Sequence, residues 1–361
     1  MGDWFDDRLA LLARWQGYRY SVENKKRRMR ADLDANENWN VPESEVRGAV
    51  KRALARTDPR SYPKGSVEEL QKGISRAVGV SPGSVIPCSG ADQAIDLLCQ
   101  GFLGPRDQVT IISPTFSMYR LRATIAGATC VEIPVGEGFS LPLEGIKRVG
   151  GAGGLLFICS PNNPTGTQFA EPDVTEAISS FKGLTILDEA YVEFADYSLS
   201  RRVKEFRNLA VLRTFSKAYG MAGLRLGYVL ANDSWAPDFL SRVQYPYPIS
   251  STAAATALEL MARPSHVRKW VATVKKEREW LSKELRALGG VGVAESQANF
   301  ILISVPIDSA KAHSELERRG IATRDVGNVP GMQNTLRVTV GTRRMNELLL
   351  TALKRVLQNA V

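Results

Sequence analysis

The sequence predicts an α/β fold with a mainly parallel sheet, and three observations support this. Short apolar runs rich in β-branched residues recur between residues 84 and 232. Segments between several of these runs have apolar residues at helical spacing, as residues 91–102 do, and Pro, Gly, Asp or Ser closes the runs. Alternating strands and helices build a parallel sheet, whose ligands bind at the carboxyl ends of the strands.

Seven of these runs are expected to form the sheet, and each is short and apolar enough to be a buried strand. In chain order they cover residues 85–87, 109–112, 130–133, 155–158, 184–187, 210–212 and 227–230.

The pattern changes after the prolines at 246 and 248. A helical region over 251–288, interrupted at Pro264, precedes strands at 300–304 and 335–340 and helices at 309–319 and 344–357. This second α/β unit leads us to predict three parts. They are an N-terminal arm at 1–41 that packs beside the small domain, a large domain at 42–246, and a small domain at 247–361.

Composition excludes several classes of function. The 361 residues carry a net charge of +9, but no nucleic-acid-binding motif accompanies the densest basic run, residues 25–30, so no nucleic-acid partner is expected. Two histidines and four scattered cysteines provide no metal-binding pattern. No apolar run could span a membrane, and the acidic, aromatic N-terminus is unlike a secretory signal. We therefore expect a cytoplasmic protein with no metal and no membrane partner.

Lys217 is unusual because it follows a predicted buried strand and lies among glycines, close to Arg225. Most lysines are solvated at the surface, and a buried ammonium is costly unless it is paired or neutral. Ordinary structural roles also explain the other strand ends when each is taken alone. These roles are a helix cap near Asp92, core packing of Phe116, and capping by Asp188.

Taken together, the strand ends favour one ligand. An aromatic, phosphorylated aldehyde would use an amine nucleophile, a carboxylate for a ring nitrogen, an aromatic side chain to stack on the ring, and a helix terminus and a cation for the phosphate. Pyridoxal phosphate is such a molecule, and the residues offering these groups are Lys217, Asp188, Phe116, Gly90, Ala91, Asp92 and Arg225.

Longer motifs carry a family resemblance. Several runs closely resemble those of fold type I pyridoxal-phosphate aminotransferases of class II. They are Asn162-Asn163-Pro164-Thr165-Gly166, Asp188-Glu189-Ala190-Tyr191, and Ser216-Lys217 followed by Gly223-Leu224-Arg225-Leu226-Gly227-Tyr228. The similarity extends from Leu33 to Gly341. It implies an aspartate-aminotransferase-like fold, pyridoxal 5'-phosphate as cofactor, small-molecule substrates and a homodimer with a shared active site.

The resemblance also implies roles for individual residues. Lys217 is the catalytic residue, which forms a Schiff base with the cofactor and moves the substrate's α-proton. Asp188 pairs with the ring nitrogen, Asn163 and Tyr191 bind the ring hydroxyl, and Phe116 stacks on the ring where the family often has tyrosine. The cofactor phosphate is expected to contact Gly90, Ala91, Asp92, Thr214, Ser216 and Arg225, and Tyr62 to reach the partner subunit's cofactor.

For the substrate, the resemblance implies that Arg337 clamps an α-carboxylate, that Asn163 assists it, and that Arg324 favours histidinol phosphate. Tyr18, or in its place Tyr20, is expected to contact the substrate phosphate. The predicted reaction is amino transfer from histidinol phosphate to 2-oxoglutarate. The alternatives are an aromatic amino-acid aminotransferase and, with less support, a phosphothreonine decarboxylase. A cofactor-sensing DNA-binding regulator is disfavoured because it would need a DNA-binding module ahead of the resemblance, which begins at Leu33.

Overall fold

A seven-stranded sheet forms the centre of this computed structural model, which describes residue 6 and residues 29–359. The strands lie in the order β2-β8-β7-β6-β5-β3-β4, and all of the pairs are parallel except those made by β8. The predicted mainly parallel sheet is therefore confirmed. The strands are β2 (Val85–Cys88), β3 (Gln108–Ser113), β4 (Thr129–Pro134), β5 (Leu155–Cys159), β6 (Leu184–Asp188), β7 (Leu209–Thr214) and β8 (Gly227–Ala231).

Both faces of the sheet are buried, as is usual where helices cover a parallel sheet on each side. Alternate residues of β5 show this, because Leu156 and Ile158 join one hydrophobic core while Leu155, Phe157 and Cys159 join another. The helices of this half of the chain are α1 (Glu43–Leu54), α2 (Ser66–Val78), α3 (Gly90–Phe102), α4 (Met118–Ile125), α5 (Leu143–Val149), α6 (Glu171–Ser180) and α7 (Ala236–Val243).

One strand differs from the prediction. Residues 130–133 were expected to be a buried strand, yet no residue of β4 is buried. The reason is its place in the sheet. It is the last strand in the order and pairs only with β3, so no neighbour covers its outer edge.

A four-stranded sheet follows, in the order β12-β13-β10-β9. Its strands are β9 (Gly292–Val293), β10 (Phe300–Ser304), β12 (Arg324–Val329) and β13 (Met332–Thr339). The accompanying helices are α8 (Ser251–Met261), α9 (Pro264–Arg286), α10 (Ser309–Arg318) and α11 (Arg343–Gln358).

A short parallel pair ties the beginning of the described chain to this later region. β1 (Ala31–Asp32) pairs with β11 (Ile321–Ala322), so the residues directly after β1 lie beside the C-terminal sheet. Within the part of the chain that the structure describes, no helix combines the length and the apolar character that a membrane span requires.

The site is positioned by adjacent strands. β5, β6 and β7 are parallel neighbours that end at Cys159, Asp188 and Thr214. Their carboxyl ends therefore share one edge of the sheet, which is where ligands bind in folds of this class.

Candidate active site

Lys217 lies just beyond the end of β7 and is partly buried. Its Nζ donates a hydrogen bond to the carbonyl oxygen of Ala35 at 3.0 Å and lies 5.7 Å from the centre of the Tyr191 ring. The pKa of Lys217 is lowered to about 8, first by burial and then by the positive charge of Arg337. A larger fraction of this amine is therefore neutral near pH 7 than in an exposed lysine, which suits a nucleophile.

Asp188, the last residue of β6, has a buried carboxylate. One oxygen accepts from the Tyr119 hydroxyl at 2.6 Å and the other from the Ala190 backbone N–H at 2.9 Å. Burial raises the pKa of Asp188, while the Tyr119 hydrogen bond acts in the opposite direction. Among the described residues, no lysine or arginine nitrogen lies within 4.0 Å of this carboxylate. A cationic ring N–H would provide the partner that such a group needs.

Tyr119 is a site residue that the sequence reasoning missed. It is fully buried on α4, and its ring stacks on Phe157 with the centroids 4.6 Å apart. The ring of Phe116 meets Tyr119 edge-on at 5.8 Å and is only partly buried. The spacing of three residues from Phe116, across the start of α4, was a signal that could have placed Tyr119 near the same ligand.

The start of α3 and Arg225 form a polar corner. Gly90 has φ +81°, and a Cβ at this position would lie 2.8 Å from Nη2 of Arg225. That same nitrogen donates to Asp92 Oδ2 at 2.9 Å. A Cβ on Gly227 would lie 3.0 Å from the Gly90 carbonyl carbon, so glycine lets β8 pass close to the helix start. The Ala91 N–H follows at the amino end of α3, which favours an anion.

Two hydroxyls lie at the end of β7. The Thr214 hydroxyl donates to Ser216 Oγ at 2.9 Å, and the Ser216 backbone N–H donates to Thr214 Oγ1 at 3.1 Å. Both residues are buried. Because Phe215 N–H bonds the carbonyl of Leu226, next to Arg225, the hydroxyls are held beside the segment that carries this arginine.

Arg337, on β13, links the C-terminal sheet to the loop after β5. Its Nη1 donates to Asn163 Oδ1 at 2.6 Å, and its guanidinium lies 5.5 Å from the centre of the Phe300 ring. The neighbouring Asn162 binds the Pro114 carbonyl and the Thr115 hydroxyl instead, which joins this loop to the one after β3. Thus Asn163, and not Asn162, faces the arginine.

The two predicted substrate arginines are direct neighbours. Arg324 lies opposite Arg337 in the register of β12 and β13. Arg324 Nη2 lies 3.3 Å from Asp34 Oδ2, and Arg337 Nη2 donates to the Asp34 carbonyl oxygen. The sequence analysis did not predict these contacts of Asp34.

Tyr191 is held by the same stretch, since Asn36 Nδ2 donates to its hydroxyl at 3.1 Å. Tyr62, by contrast, is 70% exposed and stacks on Tyr247 with the centroids 4.4 Å apart. Its expected contact with a partner subunit stays a prediction. Tyr18 and its competitor Tyr20 lie outside the described residues.

These residues fit pyridoxal phosphate. The site offers an amine with a lowered pKa, a buried carboxylate that can accept a further hydrogen bond from a cation, and a helix start at Gly90 beside Arg225. The loop after β5 and the arginines of the C-terminal sheet supply groups for an anionic substrate.

Comparison with known proteins agrees with this geometry. Residues 30–353 match the family described as Aminotransferase class I and II. The histidinol-phosphate aminotransferase of Caldanaerobacter subterraneus subsp. tengcongensis is 35% identical over 343 residues, which cover 94% of this chain and 95% of that protein.

Solved structures show the same fold. Histidinol-phosphate aminotransferase from Sinorhizobium meliloti, in complex with pyridoxal-5'-phosphate, superimposes with a TM-score of 0.85 at 23% identity, covering 93% of each chain. L-threonine-O-3-phosphate decarboxylase from Porphyromonas gingivalis has a TM-score of 0.78 at 21% identity, covering 91% of this chain and 99% of that one. The fold is therefore that of fold type I pyridoxal-phosphate enzymes, and the chain belongs to the class I and II aminotransferase family.

Proposed function

We propose that this protein binds pyridoxal phosphate at Lys217 and transfers the amino group of histidinol phosphate to 2-oxoglutarate. The observation that carries the choice of substrate is the direct opposition of Arg324 and Arg337 in β12 and β13. Histidinol phosphate has a phosphate and no carboxylate, whereas glutamate has two carboxylates. Two adjacent arginines can share one dianion or bind one carboxylate each, so one site serves both partners of the reaction.

The cofactor, when bound, supplies an electron-withdrawing ring that acidifies the Cα–H bond of an attached amino substrate. The Asp188 carboxylate would accept a hydrogen bond from the ring N–H, and Asn163 and Tyr191 would bind the ring hydroxyl. Lys217 Nζ would take the proton from the substrate's Cα as a general base, hold it as an ammonium group, and give it up again as a general acid. Arg337, held by Asn163 at 2.6 Å, fixes the substrate's orientation.

The phosphate of the cofactor is assigned to Gly90, Ala91, Asp92, Thr214, Ser216 and Arg225. Backbone N–H groups at the start of α3 and the Arg225 guanidinium would neutralise its charge. We assign the stacking position on the ring to Phe116. Because the Asp92 carboxylate already holds Arg225 at 2.9 Å, it orients this arginine for the phosphate.

The proposal includes a homodimer. An apolar cleft of about 430 Å³ is lined in part by Val50, Leu54, Met221 and Leu224, and Leu54 is 48% exposed. The cleft adjoins the segment that follows Lys217, so a second copy of the chain seated there would lie next to the site. We expect sedimentation to give a dimer, and Leu54→Asp to give a monomer with less bound cofactor.

Reduction of the loaded protein with borohydride tests the cofactor's attachment. The pyridoxyl label should appear on Lys217 and be absent from a Lys217→Ala variant. A label on any other lysine of the wild-type protein would overturn the assignment of the nucleophile.

A second experiment compares substrates. The cofactor's absorption is followed after adding histidinol phosphate, phenylalanine or phosphothreonine. Fastest bleaching with histidinol phosphate, lost in Arg324→Gln, supports the proposal. Bleaching with phenylalanine alone would favour the aromatic aminotransferase. Carbon dioxide release from phosphothreonine, with no half-reaction with glutamate, would favour the decarboxylase.

A further inference from the structure

A short segment before α1, residues 34 and 35, contacts the side chains of Lys217, Arg324 and Arg337. The Asp34 carboxylate lies 3.3 Å from Arg324 Nη2, and the Asp34 carbonyl oxygen accepts from Arg337 Nη2. The carbonyl of the next residue, Ala35, accepts from Lys217 Nζ at 3.0 Å. The parallel pairing of β1 with β11 holds this segment in place, because Leu33 N–H bonds the Ala322 carbonyl.

The position of Asp34 matters because of the charges around it. Arg324 and Arg337 lie directly opposite each other, and like charges facing each other across two strands repel. The Asp34 carboxylate offsets this repulsion at Arg324. Two further carboxylates, those of Asp32 and Glu37, lie within 4.8 Å of it and of one another, which adds negative potential at the same place.

Substrates differ in how many negative charges they bring to this pair of arginines. An aromatic amino acid brings one carboxylate, which Arg337 alone can bind. Glutamate brings two carboxylates and histidinol phosphate a dianionic phosphate, so both of these substrates also need Arg324. At Arg324 the second negative charge of either substrate comes close to the Asp34 carboxylate, which already lies 3.3 Å from this arginine.

We propose that Asp34 is a specificity-determining residue, whose carboxylate competes with the second negative charge of the substrate for Arg324. The proposal rests on the assignment of Arg324 and Arg337 to substrate binding. Asp34 thereby weakens the binding of dianionic ligands while leaving ligands with one carboxylate and an uncharged side chain unaffected. A substrate phosphate carries two charges on one group. It therefore competes with the Asp34 carboxylate for Arg324 better than the second carboxylate of glutamate does.

The size of the effect follows from the contact. Both Asp34 and Arg324 are partly exposed, with side-chain exposures of 25% and 31%. Ion pairs of this kind change binding equilibria by about two- to fivefold. Asp34→Asn removes the charge and keeps the size of the side chain and the backbone carbonyl that binds Arg337.

The test measures binding of unreactive ligands to the cofactor-loaded protein by calorimetry. Glutarate carries two carboxylates, and 3-phenylpropanoate carries one carboxylate and an uncharged ring. Asp34→Asn should tighten glutarate binding by about two- to fivefold and leave 3-phenylpropanoate unchanged. Asp34→Glu, which restores the charge, should return glutarate binding towards the wild-type value.

Asp32→Asn is the matched control. It removes one charge from the same cluster, but its carboxylate lies against Asp34. Glutarate binding should respond less to this variant than to Asp34→Asn. Equal tightening by both variants, equal tightening of both ligands, or no change with glutarate would each overturn the proposal. Because neither ligand reacts, failure of the proposed reaction with histidinol phosphate would appear separately, as absence of turnover.

Discussion

Replacing Tyr119 with phenylalanine tests how the Asp188 carboxylate is held. The Tyr119 hydroxyl donates to Asp188 Oδ2 at 2.6 Å, and both side chains are buried. Among the residues that the structure describes, only the Ala190 N–H, at 2.9 Å to Oδ1, remains as a hydrogen-bond donor to this carboxylate in the variant. Phenylalanine keeps the stacking on Phe157, so the substitution removes the hydroxyl and little else.

The expected cost follows from the charge of the acceptor. A hydrogen bond to a charged group contributes about 1.5–3 kcal/mol, against about 0.5–1.5 kcal/mol for one between neutral groups. Tyr197→Phe is the matched control, since its hydroxyl donates to the neutral carbonyl of Phe169, also at 2.6 Å. We therefore expect Tyr119→Phe to lower the free energy of unfolding by about 1–2 kcal/mol more than Tyr197→Phe does.

The pH dependence has a definite sign. Burial raises the pKa of Asp188 above 3.8 and the Tyr119 hydrogen bond lowers it, so the pKa of Asp188 is higher still in Tyr119→Phe. The hydrogen bond contributes fully to the free energy of unfolding at pH values where Asp188 is ionised. This contribution is lost as the pH falls through the raised pKa. The difference between wild type and variant should shrink towards acidic pH.

The assay is urea unfolding at several pH values, with and without added pyridoxal phosphate. Tyr119→Phe should also hold the cofactor less tightly, because its Asp188 is less readily ionised opposite the ring nitrogen. Equal losses of stability in Tyr119→Phe and Tyr197→Phe, together with wild-type cofactor affinity, would refute the reasoning.

Three further outcomes are expected. Gly90→Ala should lose about 1–2 kcal/mol of stability because φ is +81°, and cofactor affinity should fall with it; Gly289→Ala, where a Cβ meets open space, should change neither in titrations. Arg213→Met should cost about 3–5 kcal/mol in urea unfolding, since it leaves Glu189, 3.3 Å away and 1% exposed, as an unpaired buried charge; a loss below about 1 kcal/mol would contradict this. Because burial lowers the pKa of Lys217 to about 8, cofactor uptake by stripped protein should speed up with pH to about 8 and then level off; a rate still rising at pH 10 would contradict this.

Much of the fold was predictable because strands and helices are short-range patterns. The seven runs between residues 84 and 232 became the seven strands of one sheet, and the helix break at Pro264 separates α8 from α9 as expected. The exposure of β4 was not predictable, because a strand's place in the sheet order depends on pairing between distant segments.

By itself, the sequence determined which chemical groups end which strands, so Lys217 and Asp188 could be assigned to one ligand. Only the tertiary structure decided what holds those groups. Tyr119 binds Asp188 across 69 residues, and Asp34 meets Arg324 across 290 residues. The physical reason is that hydrogen bonds and ion pairs act over a few ångströms in space, whatever the separation along the chain. A local pattern therefore records the strand on which a residue lies, but not the residue that faces it.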